Sequence, residues 1–202
     1  MAKALQRAVD AFRMHPAALG ATVFLALVLQ TYLPVRLPSA RLFDFPLLVA
    51  IYIAMVRRNK ILAIAICTAI GLLQDALASG LIGMFGMAKA LTGYLAASAS
   101  IKFELDDLFA RMGLTATLVM VHGLALALLH RVLLDPPPPF QVLEFAAGVL
   151  VNTGFGMVLF LLLDRLRKLC QTARVRDIHL QLILFDAWML KHPHLWKLHA
   201  FH

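Results

Sequence analysis

Two ionisable side chains interrupt otherwise apolar stretches of the sequence: Asp75, within Ile61 to Ala78, and Lys89, within Leu81 to Ser100. A charge in hydrocarbon is costly, so an acid and a base at membrane depth are expected to pair or to serve an ion path. If the two stretches form a helical hairpin turning at Ser79 and Gly80, the helical rise puts Asp75 about 6 Å and Lys89 about 13 Å below the turn. A lysine stem bridges that difference, and the spacing predicts a buried Asp75–Lys89 pair that fixes helix register, aided by Gln74. A proton or ion relay is the sharper alternative, and it needs more titratable groups along a path than one pair supplies.

Other candidate groups read as structural. His122 and His130 fall in a fifth apolar segment and are expected to be hydrogen-bonded core residues rather than ligands. Glu104, Asp106 and Asp107 form a solvated loop rather than a metal-binding cluster. The terminal histidines His192, His194, His199 and His202 lack both metal-ligand spacing and a partner cysteine. Cys67 lies in an apolar run and Cys170 in a basic one, so no disulfide is expected. There is no nucleophile elbow, zinc-protease helix or phosphate-cradling loop in the chain, so neither catalysis nor a cofactor is expected.

The elements that must position these groups follow from composition. Of 202 residues, 61% are hydrophobic and 15% charged, with a net charge of +8. Water-soluble domains average about 25% charged residues, so the expected solvent is lipid, and the basic residues, falling between apolar runs, do not point to nucleic acid. Six segments approach the length that crosses a bilayer: Ala17 to Leu33, Phe45 to Val56, Ile61 to Ala78, Leu81 to Ser100, Leu114 to Leu134 and Val142 to Leu163. The second is too short to span unless Leu42 and Phe43 join it or the bilayer thins, and a re-entrant or tilted helix is its alternative. The first exceeds a signal-peptide core and is expected to remain as an anchor.

Loop charges agree with that count. Lys3, Arg7 and Arg13, then Arg57, Arg58 and Lys60, then Lys102 and Arg111, then Arg165, Arg167, Lys168, Arg174 and Arg176 all fall on one side, which predicts cytoplasmic termini. The expected organisation is a cytoplasmic segment 1–16, a six-helix transmembrane domain 17–163 and a basic cytoplasmic tail 164–202. In that tail Ile178 to Leu190 forms an interfacial amphipathic helix anchored by Trp188 and Trp196 and meeting membrane lipids. Small residues Gly80, Gly83, Gly86, Ala90, Gly93 and Ala97 form a stripe suited to close helix packing, within the chain or with a partner. Gly148, Asn152 and Gly156 form a second stripe, and Ala17 with Ala21 a weaker one.

Over Pro34 to Ser100 a pattern emerges: Asp44-Phe45-Pro46 before the short span, Arg57-Arg58 after it, Gly71 and Asp75 ending the next, then Gly83, Gly86 and Gly93-Tyr94. This pattern resembles the rod shape-determining protein MreD family of bacterial inner-membrane proteins. The family-like positions are Asp44, Pro46, Gly71, Asp75, Gly93 and Tyr94.

The resemblance implies an all-α integral membrane protein of six transmembrane helices, with a fold like that of the substrate-binding components of energy-coupling-factor transporters. It implies a non-enzymatic scaffold of cell elongation, working with MreC, the glycosyltransferase RodA, a class B penicillin-binding protein and MreB to organise lateral peptidoglycan synthesis. A vitamin-binding transporter component is the rival reading, against which stands the small set of polar groups on the external side: Tyr32, Arg36, Arg41, Asp44 and Asp135. An ion-coupled carrier is a further class, although the two halves lack the corresponding broken helices such carriers use.

Overall fold

The computed structural model describes residues 16–78, 81–103, 107–136 and 139–191, with side chains in the last helix described as far as Leu166. Among the described residues all regular structure is helical. The order is α1 (Pro16–Arg36), a short 3-10 helix (Pro38–Leu42), α2 (Phe45–Arg57), α3 (Lys60–Ala78), α4 (Met84–Lys102), α5 (Leu108–Leu133) and α6 (Val142–Lys191). The chain divides into two compact units, one of His15–Leu162 and one that includes Leu163–His202. The site described below lies wholly in the first.

Among the described residues four helical stretches are long and apolar enough to cross a membrane: Ala17–Arg36, Lys60–Ala78, Phe109–Leu133 and Val142–Leu166. They expose many large apolar side chains, Phe24, Ile61, Leu128 and Leu150 among them, which suits a lipid solvent and would be costly in water. Helices α2 and α4 fall outside that set, the first because it has 13 residues.

Shortness has a structural counterpart. Helix α2 is the hub of the bundle, packing against α1, α3, α4 and α5, and every residue from Phe45 to Met55 is buried. A helix apolar all round, as in Leu47-Leu48-Val49-Ala50-Ile51, belongs in a core where no face meets solvent or lipid. Asp44 caps its start, accepting from the Leu47 amide, with Pro46 in the first turn.

The α3–α4 hairpin is the closest pairing in the fold. A Cβ on Gly71 would stand 2.5 Å from the Phe85 carbonyl oxygen and 2.6 Å from the Gly86 Cα, so the two backbones approach as only a glycine permits. Gly93 instead makes room for the Cys67 side chain, an added Cβ falling 2.5 Å from the Cys67 Sγ. Gly86 and Gly93 of the small-residue stripe therefore face α3 within the chain, joined by buried Ala97, while Ala90 is half-buried. Gly83 opens α4 at φ 106, the left-handed region glycine enters freely. Gly80 and Ser79 lie outside the described residues.

Helix α6 differs from the expected span in running unbroken from Val142 to Lys191 instead of ending at Leu163. The physical reason is the absence of any Gly or Pro between Met157 and Lys191, so nothing in the chain stops the helix before Pro193. The residues assigned to a separate interfacial helix, Ile178 to Leu190, belong to that continuous element; Trp196 and the terminal histidines lie outside the described residues.

Candidate functional site: a buried ionic cluster at the head of the short helix

The site is assembled from the starts of α2 and α4 and the middle of α5. Asp44 stands at the head of α2, about one and a half turns of α4 bring Lys89 to it, and His122 projects from α5. Lys89 Nζ donates to Asp44 Oδ2 at 2.9 Å, and the lysine side chain is fully buried while that of Asp44 keeps 16% of its surface exposed. His122 Nε2 lies 3.3 Å from the same carboxylate oxygen, within ion-pair reach, although neither ring nitrogen makes an aligned hydrogen bond. The Phe85 ring serves both bases: the ammonium sits 5.0 Å from its centroid, and the imidazole stacks on it at 6.5 Å. A desolvated ammonium is stabilised by such a ring face as well as by its counter-ion.

This arrangement corrects the expected Asp75–Lys89 pair. Asp75 is buried but serves α4 as a cap: its carboxylate accepts from the amides of Gly83, Phe85 and Gly86 at 2.9, 3.0 and 3.1 Å. Those amides have no intrahelical partner at a helix start, and an acid there also meets the positive end of the helix dipole. With three donors already aimed at it, Asp75 stays at the helix start while Lys89 reaches the other way, to Asp44. Gln74 is buried beside it, with its side-chain oxygen unpartnered in the structure.

Two amide side chains hold the segment that carries Asp44. Gln30 of α1 donates to the Phe43 carbonyl and accepts from the Phe45 amide, both at 3.0 Å. Asn152 of α6 accepts from the Asp44 amide at 2.8 Å and donates to the carbonyls of Leu42 at 2.7 Å and Gly148 at 2.8 Å. Backbone between two helices has exposed donors and acceptors that a bilayer leaves unsatisfied, and these amides supply the partners a sheet would otherwise provide. Around them Phe43 and Phe45 stack and Phe155 meets both edge-on, with centroids 5.2 to 5.5 Å apart. Gln30 and the pairing role of Asn152 escape a sequence reading because an isolated amide in an apolar run carries no spacing signal; Asn152 was legible only as part of a small-residue stripe.

The remaining sequence-derived positions fall elsewhere. Pro46 is buried in the first turn of α2, Gly71 is at the α3–α4 contact, and Tyr94 is part-exposed beneath the Lys60 ammonium, 5.6 Å from its ring centroid. His130 bonds the Leu126 carbonyl through Nδ1 and lines an apolar pocket of about 250 Å³ with Asp75, Met84, Phe85 and Leu126. Asp107 precedes α5 without capping it, and Glu104 and Asp106 lie outside the described residues. Cys67 is a free, buried thiol that donates to the Ala50 carbonyl. The cluster itself holds one acid against two bases drawn from three helices, an arrangement suited to fixing helices in lipid.

Neither curated proteins nor solved structures give a match to the chain. The family model of the rod shape-determining protein MreD matches residues 13–165, more than half of the chain and the whole of the helical unit that holds Asp44, Lys89, His122 and Asn152. The chain belongs to the MreD family of rod shape-determining membrane proteins.

Proposed function

We infer that this protein is a non-enzymatic scaffold of the bacterial cell-elongation machinery, seated in the inner membrane with six helices embedded and both termini in the cytoplasm. The family match over residues 13–165 carries this reading. Its partners are MreC and the elongation synthases, RodA with a class B penicillin-binding protein, and MreB reaches it through MreC or at the cytoplasmic face.

Two features support the reading. The basic residues Arg57, Arg58, Lys60, Lys102 and Arg111 gather on alternate connections, which retains them in the cytoplasm. The ionic cluster and amide clamps tie α1, α2, α4, α5 and α6 into one frame, and a rigid frame presents the same helix faces to every partner. The embedding of α2 follows from its full burial, since a helix of 13 residues need not reach both surfaces when other helices surround it.

Affinity purification of the tagged chain from gently solubilised membranes tests the proposal. Near-stoichiometric recovery of MreC, with or without RodA and a penicillin-binding protein, is expected. Recovery of energy-coupling ATPases in their place would overturn it and assign the chain to vitamin uptake.

A further inference from the structure

Helices α2 and α3 are joined by a turn that concentrates positive charge: Arg57, Arg58 and Lys60 fall within four residues. Arg58 and Lys60 are exposed and Arg57 half-exposed, and among the described residues no carboxylate lies within ion-pair distance of any of the three. Arg58 is also the one described non-glycine residue with positive φ, at φ 48 and ψ 26. That is the helix-ending position glycine takes without strain, and an arginine held there points to a role for its side chain. Beyond the turn the surface becomes apolar at once: Ile61 is 82% exposed, and Tyr94, over whose ring Lys60 is held, is 42% exposed. Cations without a carboxylate partner among the described residues, next to exposed aliphatic and aromatic side chains, match the two halves of a phospholipid.

We propose that the α2–α3 turn is a binding site for an anionic phospholipid, with Arg57, Arg58 and Lys60 meeting the phosphodiester and Ile61 and Tyr94 lying along the acyl chains. Arginine meets a phosphate through paired N–H donors, and Lys60, positioned by the tyrosine ring, adds a point charge beside it. The site needs only the embedding of the helices in lipid and is independent of which partners the scaffold binds. An acidic protein segment would satisfy the cations but would leave Ile61 and the tyrosine face bare, so the exposed apolar flank favours lipid.

Native mass spectrometry of the full-length protein in detergent, offered equal amounts of phosphatidylglycerol and phosphatidylcholine with the same acyl chains, tests this. The wild type is expected to retain phosphatidylglycerol preferentially, and each cation removed is expected to lower that retention about fivefold, as a charge near an anionic surface contributes. The variant R58G separates binding from folding, because glycine suits the left-handed backbone: its unfolding temperature should equal or exceed that of the wild type while lipid retention falls. Equal retention of the two lipids by the wild type, or unchanged phosphatidylglycerol retention in R57Q/R58G/K60Q, would overturn the proposal. Full displacement of the lipid by excess glycerol 3-phosphate would also overturn it, showing a site for a free phosphoester, as would displacement by an acidic peptide at equal concentration.

Discussion

Lys89 and Asp44, 45 residues apart in the chain, form the ion pair on which the helical unit is centred, Nζ to Oδ2 at 2.9 Å with the ammonium wholly buried. The pair joins α4 to the head of the short helix α2, and His122 adds α5 to the same carboxylate. Removing one member of a buried pair costs about 3 to 5 kcal/mol because the survivor is left as an uncompensated charge. In lipid the alternative partners of that charge are few, which makes this contact a determinant of how the helices assemble.

Asp75 has a different task, and substitution separates the two. Asp75→Leu strands the amides of Gly83, Phe85 and Gly86 and should lower stability by about 2 to 4 kcal/mol, whereas Asp75→Asn keeps an acceptor and should cost less than half as much. Thermal unfolding of the purified variants in detergent checks the order. A loss in Asp75→Asn equal to that in Asp75→Leu would contradict the capping role.

The glycines form a graded series. Gly71→Ala forces apart two backbones and should cost at least the usual 1 to 3 kcal/mol of overpacking, while Gly86→Ala meets side chains alone, Leu72 at 3.0 Å and the Asp75 carboxylate at an ordinary 3.7 Å, and should cost less. Gly154→Ala, whose Cβ meets nothing, should stay within about 0.5 kcal/mol of the wild type. Folded yield on size-exclusion chromatography, compared across the three, reads this ranking; equal yields would mean that the α3–α4 approach is not held by its glycines.

Much of this architecture is legible in the amino-acid pattern, and the part that is not has a definite cause. Apolar runs locate the helices to within a few residues, except that α5 begins at Leu108, six residues before the apolar run at Leu114, and α6 continues past Leu163. The partner of Lys89 is misread because hairpin geometry favours the neighbour in sequence, Asp75, over a residue two helices away. The signal for Asp44 was present in the shortness of α2: a helix of 13 residues falls about 10 Å short of spanning, so its cap residue sits at the depth of Lys89 rather than in an external loop. The polar clamps are long-range pairings, 15 residues apart for Gln30 and 108 for Asn152, and no local pattern encodes them.

Asn152 offers a test of the clamp. Asn152→Leu retains size and apolar character but leaves the Asp44 amide and the Leu42 carbonyl without partners, an expected loss of about 2 to 4 kcal/mol. Asn152→Gln, whose longer arm changes the geometry, should recover only part of it. Hydrogen exchange at the Phe43–Leu47 amides is the direct readout: faster exchange in Asn152→Leu is expected, and unchanged protection would show that Gln30 alone holds the segment.

The central claim is that Lys89 answers Asp44 and not Asp75, and a pair of double-mutant cycles tests it most directly. Unfolding is measured for Asp44→Asn, Asp75→Asn and Lys89→Met alone and in the two combinations with Lys89→Met, with rod shape scored in complemented cells. The account predicts a coupling of about 1 to 3 kcal/mol between positions 44 and 89, the double variant being more stable than the sum of its parts, and near-additivity between positions 75 and 89. Strong coupling of 75 with 89, and none of 44 with 89, would contradict it.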